Sequence, residues 1–220
     1  MSALSDLSGL LITAFGAFDG GWNCSERLLD ALEAEGERLA GIWGGPVAFA
    51  RFEVDTETIG EALRDALREH RPGWLLLMGQ AAGRAGLSLE EVARNRRNLR
   101  VADAAGRCGA LGPVDPAGPA ERRSTWPELS AIAAVMTAAG VPAAVSDDAG
   151  AHLCNQTLYL ALGAEGLRAT FLHLPLLPEQ AEDGLPAACG GKPTLPLGDM
   201  TRAVRALLSH TRRSVASEAV

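Results

Sequence analysis

The sequence predicts an α/β fold, a single-domain three-layer α/β/α sandwich around a twisted, mostly parallel sheet. Three observations predict it. Short apolar runs alternate with longer amphipathic stretches along the chain. Several of those runs carry no polar residue at a core-facing or solvent-facing alternation, as expected of strands covered on both faces. No repeat or linker divides the 220 residues, which suffice for one sizeable core.

The elements read as follows. Gly9 to Phe15 is a buried strand ending in a turn. Ser25 to Glu35 has apolar positions at helical spacing, with Ser25 as its cap. Pro46 to Val54 is a second strand. Glu57 to His70 is an amphipathic helix with Ile59, Leu63 and Leu67 on one face. Trp74 to Met78 is a third strand, closed by Gly79. Residues 100–126 are rich in Gly, Pro and Ala and read as a long loop that covers a site or joins an interface. Pro127 to Ala139 is a helix with proline near its first turn. Ala143 to Ser146 is a short strand, His152 to Leu162 a helix, Ala169 to Leu174 a strand and Met200 to Ser209 a final helix. Residues 1–213 form the domain, and 214–220 are expected to fray.

Composition excludes several classes. Hydrophobic residues make up 47 %, which suits a globular chain, yet no apolar run is long enough to span a bilayer. The net charge of −7 argues against a nucleic-acid partner. Arg94, Arg96, Arg97 and Arg100 cluster, but Glu90 and Glu91 balance them locally, and the group reads mainly as a solvated face. The first residues lack a basic segment, so cytoplasmic residence is the default. Cys24, Cys108, Cys154 and Cys189 are far apart, with no spacing that suggests zinc. In a reducing compartment each is a small buried hydrophobe or a reactive thiol.

In a parallel sheet, ligands bind outside the carboxyl ends of the strands. That rule marks residues 13–21, 79–86, 146–154 and 173–178. Cys154 lies in the first turn of a helix, where the helix N-terminus favours a thiolate. Asp147 and Asp148 oppose a thiolate if close, or cap the helix and point away. His173 sits near the end of a strand. Taken alone, Cys154 reads as packed and His173 as half-buried. Together they offer the nucleophile and base of a thiol hydrolase, which needs a third group to orient the base. Glu90 or Glu91 can be that group, against the alternative of a solvated face. Residues 79–86 are glycine-rich, but lack the ending of a phosphate-binding loop and match no dinucleotide fingerprint. Phe15 and Phe18, two of five phenylalanines, fall in a glycine-rich turn. They form a small apolar slot or anchor the loop to the core.

Three segments carry a resemblance to a known family. Ser146-Asp147-Asp148-Ala149-Gly150-Ala151-His152-Leu153-Cys154-Asn155 is similar to S-x-x-A-G-x-x-x-C-N. Phe171-Leu172-His173-Leu174-Pro175-Leu176-Leu177-Pro178-Glu179-Gln180 is similar to F-I-H-V-P-x-x-P-E-Q. Gly79 to Arg84, followed by Glu90-Glu91-Val92-Ala93-Arg94-Asn95, is similar to G-x-A-G-G-R and E-x-V-A-x-N. In this order they resemble pyroglutamyl peptidase I, the pyrrolidone-carboxylate peptidase family of cysteine peptidases, over nearly the whole chain.

The resemblance implies a cysteine exopeptidase that cleaves after an N-terminal pyroglutamyl residue through a thioester. It implies Cys154 as nucleophile, His173 as base then acid, and Glu90 as the group that orients His173. Glu91 falls where the family is usually not acidic. Arg84 is implied near the scissile carbonyl, and Asp103 loosely matches an acidic residue of the following loop. Phe15 and Phe18 are implied to flank the lactam ring, with Gln80 as a polar partner. A closed slot that pairs the lactam but leaves no room for an α-ammonium would explain the specificity, since a free N-terminal Gln would bring a costly unpaired charge into it. No metal or organic cofactor is implied. The implied partners are pyroglutamyl peptides, with no nucleic acid or membrane, and a homodimer or homotetramer is expected. The chain departs from the family at Ala14, Ala17, Cys24 and Ala82. Ala14 and Ala82 are expected to disturb turns that need unusual dihedrals. Two rival readings stay open. One is a hydrolase for another cyclic amide or N-acyl group, and the other a protein that binds pyroglutamyl peptides with little turnover.

Overall fold

The computed structural model describes residues 8–18, 21–183 and 191–218. Cys189, the N-terminal segment and Asp19 and Gly20 of the first glycine-rich turn lie outside the described residues. The chain opens with β1 (Leu10–Phe15), α1 (Cys24–Glu33), α2 (Gly36–Trp43), β2 (Val47–Phe52), α3 (Ile59–His70) and β3 (Trp74–Gln80). Short strands follow: β4 (Leu87–Glu90), β5 (Val92–Arg94), β6 (Arg97–Leu99), β7 (Gly109–Gly112) and β8 (Glu121–Arg123). The chain continues through α4 (Leu129–Ala138), β9 (Ala143–Ser146), α5 (Leu153–Ala161), β10 (Arg168–Leu174), α6 (Pro178–Asp183) and α7 (Leu197–Glu218).

Six strands form the central sheet, in the order β2-β1-β3-β10-β4-β9. The first four run parallel. β4 runs antiparallel to β10, and β9 is parallel to β4. The expected parallel sheet therefore reverses direction after β10. On one face pack α1, α2, α4 and α7, through side chains such as Leu28, Leu39, Met136 and Leu207. On the other pack α3 and α5, through Ile59, Leu63 and Leu158. Both faces of the sheet are covered, which is why its central strands are almost wholly apolar.

Several boundaries differ from the sequence expectation. Asn23, not Ser25, caps α1: its side chain accepts from the Ser25 backbone N–H at 3.0 Å. Asn also offers a carbonyl oxygen at the cap, and the Ser25 hydroxyl donates to it at 2.8 Å. α2 is a further helix. Residues 100–126 are not one open loop: β7 pairs with β6, and β8 with β5. The final helix does not stop near Ser209. It continues to Glu218 because its last turns have partners. Thr211 is buried, Val215 packs on the core, and Arg212 Nη1 donates to the Gly41 carbonyl at 2.7 Å.

Three tryptophans join these layers. Trp74 stands edge-on to Trp43 and Trp126, with ring centroids 5.2 and 4.9 Å apart. Trp126 also donates from Nε1 to the Thr211 hydroxyl at 3.1 Å. It thereby fastens the end of the glycine- and proline-rich segment to α7. Trp126→Ala is expected to lower unfolding free energy by about 3–5 kcal/mol. Urea denaturation measures this, and a midpoint equal to wild type would remove Trp126 from the core's support.

Candidate active site

Register on one sheet face places the first two groups. β10 pairs with β4 so that Phe171 lies opposite Glu90 and His173 opposite Ser88. Glu90 and His173 are thus diagonal neighbours on one face, about 7–8 Å apart at the backbone and within reach of long side chains. His173 Nδ1 and Glu90 Oε1 meet at 2.7 Å. Glu90 is fully buried, which rules out the solvated-face reading. A carboxylate out of water needs strong partners. The second is Arg84, whose Nη2 lies 2.9 Å from the same oxygen.

The strand-end rule does not place Cys154, because β9 runs opposite to β1, β3 and β10. The turn of residues 147–152 does so, bringing α5 across the sheet face. Cys154 is the second residue of α5, and its Sγ lies against Gly79 of β3. Gly79 is also the β3 partner of His173 in the sheet. A Cβ at Gly79 would stand 3.0 Å from Cys154 Sγ and 2.7 Å from Phe171 Cζ. The glycine is what lets the thiol settle onto the sheet beside the imidazole.

The charges around this pair are arranged consistently. Asp148 does not face the thiol as an uncompensated anion. Its Oδ1 lies 3.2 Å from Arg94 Nη1 and 3.5 Å from Arg96 Nη2, and accepts from the Gly150 N–H at 3.1 Å. Burial opposes a charge on His173. The facing Cys154 and then Glu90 outweigh it through hydrogen bonds and opposite charge, and raise its pKa to about 9. With Nδ1 taken by Glu90, Nε2 is the ring nitrogen left for Cys154.

A cavity of about 450 Å³ opens beside Cys154. Phe15, Phe18 and Gln80 all line it, together with His152, Arg100 and Val101. Phe15 stacks on Phe171 at 6.4 Å between centroids, and Phe18 lies 6.1 Å from the His152 ring. Arg84 is not part of the lining. Its guanidinium is committed to Glu90 and, at 2.8 Å, to the Asp148 carbonyl. Ala14 and Ala82 do not strain the backbone. Among the described non-glycine residues only Arg71 and Glu128 have positive φ, and Ala14 is a buried strand residue.

Sequence reasoning passed over two contributors, Asn155 and His152, and matched a third, Asp103, only loosely. Asn155 clamps α5 to the β5 segment: it donates to the Arg94 and Arg96 carbonyls and accepts from the Arg94 N–H. Its place beside Cys154 in the motif was the available signal. His152 holds the cavity rim, with Nε2 donating to the Val101 carbonyl at 3.1 Å. Burial pushes its pKa down, consistent with a neutral ring. Asp103, matched only loosely from sequence, anchors the same rim. It accepts from the Thr56 N–H and hydroxyl at 3.1 and 2.7 Å and from Arg107 Nε at 3.1 Å. Burial would raise its pKa, but those bonds hold the carboxyl well below the usual range.

Comparison with known proteins gives one consistent answer. A family model described as pyroglutamyl peptidase matches residues 8–213. Pyrrolidone-carboxylate peptidase of Streptomyces coelicolor is 40% identical, over 96% of this chain and 95% of that protein. Two crystal structures superpose closely. Pyrrolidone carboxyl peptidase from Thermus thermophilus has a TM-score of 0.80 at 35% identity, covering 91% of this chain and 99% of its own. Pyroglutamyl peptidase I from Bacillus amyloliquefaciens has a TM-score of 0.82 at 26% identity, covering 94% and 95%.

The charge on His173 has a direct readout. A raised pKa means that the ring keeps its proton below about pH 9 and loses it as pH rises through that value. By NMR its ring signals are expected to titrate near pH 9. Glu90→Gln removes one of the groups that raise this pKa, so the titration is expected to move to lower pH. An unchanged titration would exclude Glu90 as a source of the shift.

Proposed function

This chain belongs to the pyroglutamyl peptidase family, and from that premise we propose that Cys154, His173 and Glu90 are the catalytic groups with which it removes pyroglutamate from peptide N-termini. The observation that carries the reading is the bond between Glu90 and His173 Nδ1, which leaves Nε2 for Cys154. A nucleophile, a base and an orienting acid are then in sequence, as thiol peptidases need.

The chemistry follows from the positions. The Cys154 thiolate attacks the pyroglutamyl carbonyl carbon, and the carbonyl electrons move to oxygen. Backbone N–H groups in the first turn of α5 stabilise that oxyanion, since helix-end donors have no intrahelical acceptor. The protonated His173 gives its proton to the leaving amine as the C–N bond breaks. The thioester that remains is attacked by water, from which His173 takes a proton. Pyroglutamate leaves and the thiolate–imidazolium pair is restored. Arg84 acts on Glu90: it balances the buried carboxylate and so fixes the acceptor for His173.

Phe15 and Phe18 supply apolar walls suited to a flat five-membered lactam, and Gln80 supplies an amide at the cavity wall. The substrates are peptides that begin with pyroglutamate. Cys154→Ala is expected to lower kcat for a chromogenic pyroglutamyl amide by about 10³-fold or more. Turnover at the wild-type rate would remove Cys154 as nucleophile.

Among the described residues no helix is long and apolar enough to cross a membrane. A thiol nucleophile suits a reducing compartment, and we place the enzyme in the cytoplasm as a homodimer or homotetramer. Cell fractionation followed by sedimentation of the released enzyme checks both. Activity outside the cytosolic fraction, or a monomer at cellular concentration, would overturn the corresponding half.

A further inference from the structure

Gln80 ends β3 at the cavity wall, and its amide has two faces, one that donates and one that accepts. Which face meets a ligand decides what the cavity recognises. Oxygen and nitrogen of an amide are alike in outline, so the assignment has to come from neighbours of fixed polarity. The backbone supplies them.

Gln180, in α6, is fully buried behind Gln80. Its Oε1 accepts from the Leu177 N–H at 2.9 Å, and its Nε2 donates to the Trp22 carbonyl at 2.9 Å. A backbone N–H only donates and a backbone carbonyl only accepts. Both contacts therefore fix the Gln180 amide in the same sense. Its remaining amide hydrogen is directed to Gln80 Oε1, 2.7 Å away. The Cys24 backbone N–H donates to that same oxygen at 3.1 Å. Two donors, one of them backbone, thus occupy the accepting face of Gln80. Its NH₂ is the face left for a ligand, and among the described residues no protein acceptor engages it.

We propose that Gln180 is a positioning residue that sets the polarity of Gln80, so that the cavity presents amide donors to its ligand and selects a ring carbonyl over an amine. The inference rests on the proposed role of the cavity as the lactam site. A lactam carbonyl accepts from Gln80 Nε2. The ammonium of an unblocked N-terminus brings donors against a donor and meets no acceptor there, a mismatch that a buried site cannot relieve with water. The substrate is thereby chosen by an amide whose orientation is decided outside the cavity wall.

The test uses Gln180→Glu, Gln180→Met and Gln80→Leu, alone and with each Gln180 change combined with Gln80→Leu. Gln180→Glu replaces a donor to Gln80 Oε1 by an acceptor and favours rotation of the Gln80 amide. Gln180→Met removes the donor without reversing it, and serves if the carboxylate prevents folding. For Gln180→Glu, KM for a pyroglutamyl amide is expected to rise about tenfold, the scale of one hydrogen bond. kcat is expected to change less than KM, and alkylation of Cys154 by iodoacetamide, which needs no lactam contact, to keep its wild-type rate. Gln180→Met is expected to show a smaller rise in KM. On the Gln80→Leu background either Gln180 change is expected to add little, because its effect passes through Gln80. An unchanged KM in both single variants, or a full additional loss on the Gln80→Leu background, would overturn the inference and leave the peptidase reading intact. A wild-type protein that does not turn over pyroglutamyl amides would overturn both.

Discussion

A carboxylate removed from water has to be neutralised where it stands, and in this protein that requirement organises the site. Glu90 has no solvent exposure, and one of its oxygens serves both His173 and Arg84. The arginine balances the charge, which allows the carboxylate to stay inside the sheet. The histidine takes up the same charge through Nδ1, so its ring is held and its other nitrogen is directed away from Glu90. Without Arg84 the cost of the buried anion would fall on the pair alone.

The sheet reverses direction at the point where this is needed. Four parallel strands end on one side, and β4 then enters antiparallel to β10. That reversal sets Glu90 diagonally across from His173, on the face that α5 covers. Gly79 completes the arrangement by having no side chain where the Cys154 thiol lies. Around this centre, Asp148 is paired with Arg94 and Arg96, and Asp103 ties down the segment that carries Val101 to the cavity rim. The cavity wall has a similar layered support. Gln80 meets the cavity, while Gln180, Leu177, Trp22 and Cys24 determine which way its amide faces.

Much of this was legible along the chain. Apolar runs such as Trp74–Met78 marked the central strands, and Ile59, Leu63 and Leu67 marked an amphipathic helix. The motifs around Cys154, His173 and Glu90 named the groups that the structure brings together. Other features were not legible for identifiable reasons. The antiparallel direction of β4 is invisible to periodicity, since a strand has the same alternation in either sense. For Glu90 and Glu91 a solvated face stayed open as the alternative, because burial depends on what packs over the strand. Arg84 was read towards the scissile carbonyl, whereas its guanidinium meets Glu90 and the Asp148 carbonyl. The extension of α7 to Glu218 depends on the Gly41 carbonyl, far away in sequence, and on the core that Val215 packs against.

By itself, then, the sequence determined the fold class and the family, and it named the side chains proposed to react. These depend on local patterning and on motifs that are contiguous in the chain. Only the tertiary structure decided which oxygen meets His173, which groups Arg84 contacts, and which face of Gln80 the cavity sees. Those are properties of pairs separated by tens of residues or more. Hydrogen-bond polarity between such pairs is set by direction in space, which a linear pattern does not encode.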